Sequence, residues 1–147
     1  MKFRLSPLAV IAEIRPKGAT GGTVMFVVLL PPSYPPQMLA HELHHVKQWW
    51  AFTLASAVIV SALATAFPIV SYAAAFLSVG VFGVLYRFIP AFRFKAEAAA
   101  YAASYEDGEG EILDYARALS SPLYATGRTL HESRDAIRAR ADDGRLI

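Results

Sequence analysis

The chain has 147 residues, which suits one domain and argues against a multidomain enzyme. Hydrophobic residues make up 55% of it and charged residues 18%, a composition that excludes disordered and fibrous classes. The net charge of +2 provides no basic surface for nucleic acid, and the absence of cysteine excludes disulfide scaffolds, thiol nucleophiles and cysteine-ligated zinc. Histidines and carboxylates are therefore the strong metal ligands that remain.

Residues 1–36 predict a small β-structure followed by a proline-rich turn. Two β-branched and apolar runs, Leu8–Ile14 and Thr23–Leu30, flank a glycine-rich segment, which is typical of two antiparallel strands joined by a glycine turn. Four prolines then end the second strand, and a helix is predicted to open at Gln37.

The next feature is a stretch of 38 residues, Trp49–Tyr86, that carries no charge. One membrane span needs about 20 residues, so this stretch fits two short spans interrupted near Pro68 and predicts a transmembrane helical hairpin over residues 51–89. The aromatic residues at its two ends are expected to lie at the membrane interface: Trp49, Trp50, Tyr86, Phe88 and Phe92. The alternative is a buried hairpin in a soluble or oligomeric protein, because two helices of about 17 residues reach only about 26 Å.

Basic residues flank the hairpin at both ends, with Lys47 before it and Arg87, Arg93 and Lys95 at and after its end. Because cytoplasmic segments carry an excess of lysine and arginine, both ends of the hairpin are expected to face the cytoplasm. The sequence therefore predicts an integral membrane protein, of a prokaryotic inner membrane, whose lipid-free parts lie on the cytoplasmic side.

The rest of the chain is predicted to be helical, with helices over 91–105, 111–120 and 122–141 and a turn at 107–110. The expected fold class is a mainly helical α+β fold in a single domain of residues 1–147. Four segments make up this domain: N-terminal strands (1–36), a motif-bearing helix (37–50), the membrane hairpin (51–89) and the C-terminal helices (90–147).

Residues 41–45 read His-Glu-Leu-His-His and so contain the pattern His-Glu-x-x-His. On a helix, His41 and His45 lie one turn apart on the same face, where both can bind one zinc ion while Glu42 reaches a water molecule beside it. Zinc lowers the pKa of such a water to about 7, and the carboxylate can take its proton and pass it to a leaving amine. The pattern predicts metal-assisted hydrolysis, most often of a peptide bond. His44 points about 100° away and is expected to pack against neighbours. The competing interpretation is a surface helix that is merely rich in histidine.

A catalytic zinc needs a third protein ligand, and Glu97 is the preferred candidate. If the hairpin returns antiparallel about an apex near Pro68, the residues opposite the motif fall near 93–97, where Glu97 lies in an alanine-rich helix. The alternatives are Glu106, Asp107 and His131, which require the second helix to unwind or the C-terminal helices to fold back over the site.

Negative charge that develops on a substrate needs a hydrogen-bond donor. The sequence offers Tyr101, Tyr105 and His131 for this role, and the two tyrosines are preferred because they lie close to Glu97 along the chain.

Taken together, these residues resemble the gluzincin metallopeptidases. The motif His41–His45 with Gln48 behind it, the apolar hairpin and the run Lys95–Ala100 look most like the integral-membrane HtpX and CAAX-prenyl-protease branch. The resemblance implies a zinc ion held by the two motif histidines and a downstream glutamate, here Glu97, with transmembrane helices between them. The chain departs from that family four residues after the glutamate, where Tyr101 replaces the usual aspartate. Support for a motif histidine would then come from elsewhere.

Two functions remain open at this point. The first is a zinc-dependent membrane metallopeptidase, an endopeptidase whose partners are the lipid bilayer and a peptide or membrane-protein substrate. The second is a non-catalytic membrane or phage assembly protein with a structural or vestigial zinc site. Glu42 favours the enzyme because a structural site needs no general base, whereas Tyr101 in place of aspartate favours the alternative.

Overall fold

The fold combines a small N-terminal sheet with a larger set of helices. The structure, a computed structural model, describes residues 2–14, 20–66, 71–105 and 109–145. In these ranges the strands are β1 (Lys2–Leu5), β2 (Val10–Glu13), β3 (Gly22–Val24) and β4 (Val27–Leu30). The helices are α1 (Pro36–Ala66), α2 (Ser71–Phe88), α3 (Pro90–Ser104), α4 (Glu109–Leu119) and α5 (Leu130–Arg145), with a 3-10 turn at Pro122–Tyr124. The predicted mainly helical α+β class is confirmed.

The sheet has the strand order β1-β2-β4-β3, which differs from the prediction. β2 pairs antiparallel with β1 but parallel with β4, and β3 pairs antiparallel with β4. The prediction of two antiparallel strands is wrong because the run Thr23–Leu30 is folded back on itself between Val24 and Val27. Met25 in this turn has a φ of 57°, the left-handed conformation that such a tight reversal requires. The predicted glycine turn falls partly on Gly18, which lies outside the described residues.

The sheet packs one face on the first turns of α1. Val28 and Leu30 of β4 alternate with less buried neighbours and are fully buried, as expected of a strand with one covered face. They form a core with Ile11 of β2 and Val46 of α1. This packing fixes the position of the edge strand β3 relative to the motif-bearing part of α1.

α1 begins with Pro36 as its first helical residue, one residue before the predicted start, where the missing N–H of proline costs no hydrogen bond. The helix then runs without a break through the motif and the first arm of the predicted hairpin. α2 forms the second arm, and the predicted break near Pro68 lies outside the described residues.

Two aromatic residues expected at the membrane interface point into the protein instead. Trp49 is buried between the helices, packs on Phe82 and Ala96, and donates a hydrogen bond from Nε1 to the carbonyl of Val79 at 3.0 Å. Tyr86 turns its hydroxyl toward α3. The interface prediction fails at these positions because the aromatic side chains satisfy both their apolar and their polar parts inside the helix packing.

α2 and α3 are separate helices, joined at Ile89 and Pro90. Ile89 is extended, with φ −112° and ψ 99°, because the ring of a following proline disfavours the helical conformation. The change of direction lets α3 run back beside α1. Ala96, Ala98 and Ala100 are buried. Ala96 packs with Trp49 of α1, in the close approach that was predicted, whereas Ala98 packs with residues of α4 and α5.

The C-terminal region contains a shorter helix than predicted. Residues 122–141 do not form one helix, because the 3-10 turn ends at Ala125 with a positive φ of 48° and Gly127 follows with a φ of 66°. α5 begins only after Thr129, whose hydroxyl accepts a hydrogen bond from the Glu132 N–H at 3.2 Å while the Glu132 carboxylate accepts one from the Thr129 N–H at 2.9 Å. This reciprocal pair is a capping box. α3, α4 and α5 share a second core around Ile112, Leu119 and Ile137.

Among the described residues, one helix is long and apolar enough to cross a membrane, Pro36–Thr65, and α2 contributes a shorter apolar helix, Ser78–Phe88. Only 11% of the most apolar window of the long helix is buried inside the protein. The transmembrane hairpin stays a prediction, since the two candidate spans are defined by their length and composition alone.

Candidate metal centre and active site

His41 and His45 lie one turn apart on α1 and direct the same ring nitrogen toward one point. Their Nε2 atoms are 3.2 Å apart, and the two rings meet edge to face with centroids 4.8 Å apart. The four-residue spacing on a continuous helix produces this arrangement directly, because residues i and i+4 share a face.

Glu97 of α3 completes the cluster from the opposite side. Its Oε2 lies 3.3 Å from Nε2 of His41, and its Oε1 lies 3.4 Å from Nε2 of His45. Zinc bonds of 2.0–2.1 Å in a tetrahedral site place neighbouring ligand atoms about 3.3 Å apart. Each histidine nitrogen lies at about that spacing from the other and from one of the two carboxylate oxygens. With one ligand atom from each residue, the three atoms lie within 4.8 Å of one another.

The chemistry of Glu97 also suits a cation. The side chain is only 2% exposed, and burial raises its pKa, but contacts with His41 and His45 outweigh burial and hold that pKa at about 2. The residue is therefore an ionised carboxylate in a buried position. Its Oε2 is buried and accepts no hydrogen bond of good geometry, although it lies 3.3 Å from Nε2 of His41. A bound metal ion would satisfy this oxygen, so the residues fit a zinc ion.

Gln48 supports His45 from behind. Nδ1 of His45 lies 3.0 Å from Oε1 of Gln48, whose Nε2 donates to the carbonyl of Ala96 at 3.0 Å. This chain links α1 to the residue before Glu97 and fixes the ring of His45 with Nε2 toward the cluster. Outer contacts of this kind orient metal-binding histidines in general.

His41 has no comparable support among the described residues, since its Nδ1 is buried and lacks a hydrogen-bond partner. The aromatic ring of Tyr101 lies against it instead, with centroids 4.5 Å apart. Tyr101 is the residue at which the sequence departs from the gluzincin pattern, and it contacts His41 through its ring.

Glu42 lies beside the cluster and is not part of it. Its carboxylate is buried, and Oε2 accepts a hydrogen bond of 2.6 Å from the hydroxyl of Thr23 on the edge strand β3. Thr23 also donates to the backbone carbonyl of Glu42 at 3.2 Å. Gly21 leaves the space that the carboxylate fills, because a Cβ on this residue would lie 2.7 Å from Oε1. The strand therefore positions the predicted base independently of the metal ligands.

Tyr86 of α2 contacts the centre from a third helix. Its hydroxyl donates a short hydrogen bond to Oε1 of Glu97, and its ring lies 5.9 Å from that of His45. Arg93 stacks over the Tyr86 ring at 5.4 Å and donates to the carbonyls of Tyr86 and Tyr124 at 2.9 and 2.8 Å. The arginine thus ties the end of α2 to the 3-10 turn.

The predicted hydrogen-bond donors have different positions. Tyr101 faces the site, and its hydroxyl lies 2.7 Å from that of Tyr124, whereas Tyr105 packs in the core of the C-terminal helices and contributes to neither cavity described below. Burial raises the pKa of Tyr101 to about 12 and also raises that of Tyr124. Both phenols are therefore neutral donors near pH 7.

Of the other predicted ligands, the structure describes His131, which lies away from the cluster. His131 lies on α5, is 73% exposed and pairs with Asp135 at 3.2 Å, so it serves neither as ligand nor as donor at this site. Glu106 and Asp107 fall outside the described residues. His44 is half-buried on another face of α1 from the cluster, as expected from its position one residue before His45.

Two cavities meet at the motif. The first has a volume of about 480 Å³ and the second a volume of about 690 Å³, and apolar surface predominates in both. Both include Gly21, His41, Glu42 and Tyr124, so His41 and the predicted base lie between them, whereas His45 and Glu97 line the first cavity alone. An extended chain crossing from one cavity to the other would pass the edge strand β3.

The sequence interpretation missed several of these residues. Thr23 and Gly21 precede the motif in a segment assigned to a strand and a turn, and Tyr124 was assigned to the interior of a helix. The signal that would have exposed Tyr124 is Thr129-x-x-Glu132, which marks a helix start after it. No pattern near Tyr86 in the sequence predicts its contact with Glu97, because that contact depends on how α2 and α3 cross.

Searches of this chain against protein-family models, curated proteins and solved structures return no match. The resemblance to gluzincins consequently rests on the residues of the motif, and the family assignment remains a prediction.

Proposed function

We propose that this protein is a zinc-dependent membrane metallopeptidase. The observation that carries the proposal is the convergence of His41, His45 and Glu97, with Glu42 held beside them by a separate contact. A structural metal site has no use for a buried carboxylate next to its ligands, whereas hydrolysis requires a general base at that position.

Each residue of the site has its own role in the proposed hydrolysis. When bound, zinc would supply a Lewis acid that polarises the substrate carbonyl and activates a water molecule. His41, His45 and Glu97 hold it. Glu42 accepts the proton of the attacking water and delivers it to the leaving amine. Thr23 holds one oxygen of that carboxylate in place.

A neutral phenol completes the arrangement. Tyr124 contributes to both cavities, and Tyr101 is its hydrogen-bond partner, so one of the two hydroxyl hydrogens can be directed to the substrate. A donor in this position stabilises the negative charge that develops on the carbonyl oxygen. We propose Tyr124 for this role in preference to Tyr105, with Tyr101 orienting it.

The membrane part of the proposal rests on the outward face of α1. Its large apolar side chains remain uncovered by the protein, at Leu54, Val58, Ile59 and Leu63, which are 50–70% exposed. An exposed apolar face of this extent indicates a lipid or protein environment. The long uncharged stretch of the sequence favours lipid.

The proposal is tested with protein purified in detergent, supplied with zinc and offered a panel of peptides and a model membrane protein. Glu42→Gln keeps the shape of the side chain but cannot accept a proton, so cleavage should fall by about 10²–10⁴-fold while zinc content is retained. Glu13→Gln is the matched control, because Glu13 pairs with Arg4 on the sheet and lies away from the motif. Equal cleavage by wild type and Glu42→Gln would contradict the mechanism.

A second candidate is a non-catalytic membrane or assembly protein that retains zinc for folding. The bare Nδ1 of His41 favours this candidate, because the metal-binding histidines of working catalytic sites usually have an orienting partner on that nitrogen. Full zinc occupancy in wild type without cleavage of any substrate in the panel would favour it over the peptidase.

A further inference from the structure

Two turns of the sheet lie side by side at one of its ends. In the turn between β1 and β2, the backbones of Ser6 and Ala9 exchange hydrogen bonds of 2.8 and 3.3 Å. The second turn joins β3 to β4, and the N–H of Val10 at the start of β2 donates to the carbonyl of Phe26 in that turn at 2.9 Å. Both turns fall at the same end because β2 and β4 are parallel and begin opposite each other. We refer to residues 5–9 and 24–26 together as the sheet tip.

The sheet tip is uncharged and exposes large apolar side chains to the surroundings of the protein. None of its residues is acidic or basic. Its five large apolar residues are 40–87% exposed: Leu5, Leu8, Val24, Met25 and Phe26. Single exposed apolar residues are ordinary on a protein surface, whereas a contiguous patch marks a contact with an apolar partner. The sheet tip therefore has the character of a contact surface.

Contacts with α1 show which way the sheet tip points. Thr23, at the other end of β3, donates its hydrogen bond to Glu42, whereas the carbonyl of Leu8 in the tip accepts one of 3.0 Å from Nε1 of Trp50. Eight residues of helix separate these two contacts, which is about 12 Å at 1.5 Å per residue. The sheet thus runs beside α1 from the motif toward the uncharged stretch, with the tip leading.

The sheet tip ends close to the part of α1 that we propose to face lipid. The ring of Phe26 lies 5.9 Å from that of Trp49, the first residue of the uncharged stretch. Leu54 is the first large apolar residue of α1 that the protein leaves exposed, and it follows Trp49 by five residues, or about 7.5 Å along the helix. The headgroup region on each side of a bilayer is about 5–7 Å thick. If Leu54 contacts the hydrocarbon, the sheet tip lies at the level of the headgroups.

The backbone of the first turn suits this level as well. Ser6 and Ala9 satisfy each other, Pro7 has no N–H, and the carbonyl of Leu8 is occupied by Trp50. Backbone groups without partners are costly near the hydrocarbon, where water is scarce. The turn therefore presents side chains to its surroundings with few backbone groups in need of water.

We infer that the sheet tip inserts into the membrane interface and forms a lipid contact separate from the helical hairpin. The inference rests on the membrane part of the proposed function, because it takes α1 to enter the bilayer just beyond Trp49. Lipid is the occupant rather than a second copy of the chain, because the exposed apolar surface continues from the tip along α1 into the uncharged stretch.

Lipid quenching of single fluorescent labels tests the inference without requiring zinc or cleavage. The chain has no cysteine, so bimane can be attached at one introduced cysteine at a time. Leu8→Cys and Val24→Cys probe the two turns. Ile14→Cys is the matched control, since Ile14 is 46% exposed against 45% for Leu8 but lies beyond the opposite end of β2. Val58→Cys is the reference for depth, because Val58 lies eight residues beyond Trp50, about 12 Å further along α1.

The full chain is reconstituted in phosphatidylcholine vesicles whose acyl chains carry bromine either near the headgroup or near the methyl end. The labels at Leu8 and Val24 should lose emission mainly to bromine near the headgroup, and the label at Val58 mainly to bromine near the methyl end. The label at Ile14 should keep its emission with both lipids.

Three results would overturn the inference. Labels at Leu8 and Val24 that are quenched no more than the label at Ile14, while Val58 is quenched, would reject insertion of the tip and leave the transmembrane hairpin standing. Blue-shifted emission at Leu8 and Val24 without quenching would identify a protein partner as the occupant. Absence of quenching at Val58 as well would reject the membrane part of the proposed function together with the inference.

Discussion

Gly21→Ala tests how the edge strand and the motif helix are fitted together. The added Cβ would lie 2.7 Å from Oε1, 3.0 Å from Cγ and 3.1 Å from Cδ of Glu42. An ordinary contact begins at 3.4 Å, so the carboxylate must retreat by about 0.7 Å. Glu42 is buried and held by Thr23, which limits that movement. Overpacking of this size costs about 1–3 kcal/mol of unfolding free energy.

The assay is guanidinium unfolding in mild detergent, followed by tryptophan fluorescence, on a double-mutant cycle. Glu42→Asp alone should destabilise the protein because the shorter side chain no longer reaches the Thr23 hydroxyl. In the Gly21→Ala background, Glu42→Asp should lower the free energy of unfolding less than it does alone, or raise it, because the shorter side chain leaves room for the new methyl group. The coupling energy between the two substitutions should be about 0.5–3 kcal/mol. Zinc content should stay near that of wild type in Gly21→Ala, since the ligands are untouched, while any peptidase activity should fall by about 10²-fold. Strict additivity in the cycle, or unchanged stability of Gly21→Ala, would refute this account of Gly21.

Gln48→Ala removes the link between His45 and the Ala96 carbonyl, so the affinity for zinc should weaken by about 10–100-fold, as measured by competition with a chelator. An unchanged affinity would mean that the ring of His45 is oriented by packing alone. Val58→Cys tests the membrane environment, because Val58 is 70% exposed in the protein and the bilayer would shield it from a polar reagent. In intact membranes a polar thiol reagent should fail to label Val58→Cys but should label Leu123→Cys, at a position that is 93% exposed. Equal labelling of the two would argue against the transmembrane hairpin.

The features predicted correctly from the sequence are those that depend on the spacing of residues close together in the chain. The i, i+4 relation of His41 and His45 requires only that residues 41–45 be helical, and Pro36 marked the start of that helix almost to the residue. The choice of Glu97 came from the length of the uncharged stretch, which sets where the chain returns. That argument assumed one continuous returning helix, whereas the structure breaks it at Pro90 and still brings Glu97 beside the motif.

The rest depended on contacts between distant segments, which local patterns do not contain. The parallel pairing of Val10–Glu13 with Val27–Leu30 follows from the reversal at Met25, for which the sequence offers no glycine or asparagine signal. Tyr86 was assigned to the membrane interface because amphipathic rings are common there, yet its hydroxyl finds a carboxylate inside the protein. The contacts of Thr23 and Tyr124 with the site likewise arise only once the sheet and the C-terminal helices have packed on α1.

The central claim is that His41, His45 and Glu97 form one zinc site, and elemental analysis of protein purified in detergent tests it most directly. Wild type should contain close to one zinc per chain, and His45→Ala and Glu97→Ala should each lose most of it, because removing one of three ligands leaves an incomplete site. His131→Ala should retain the full amount, since that histidine is exposed on α5. Zinc absent from wild type, or retained in full by Glu97→Ala, would contradict the claim.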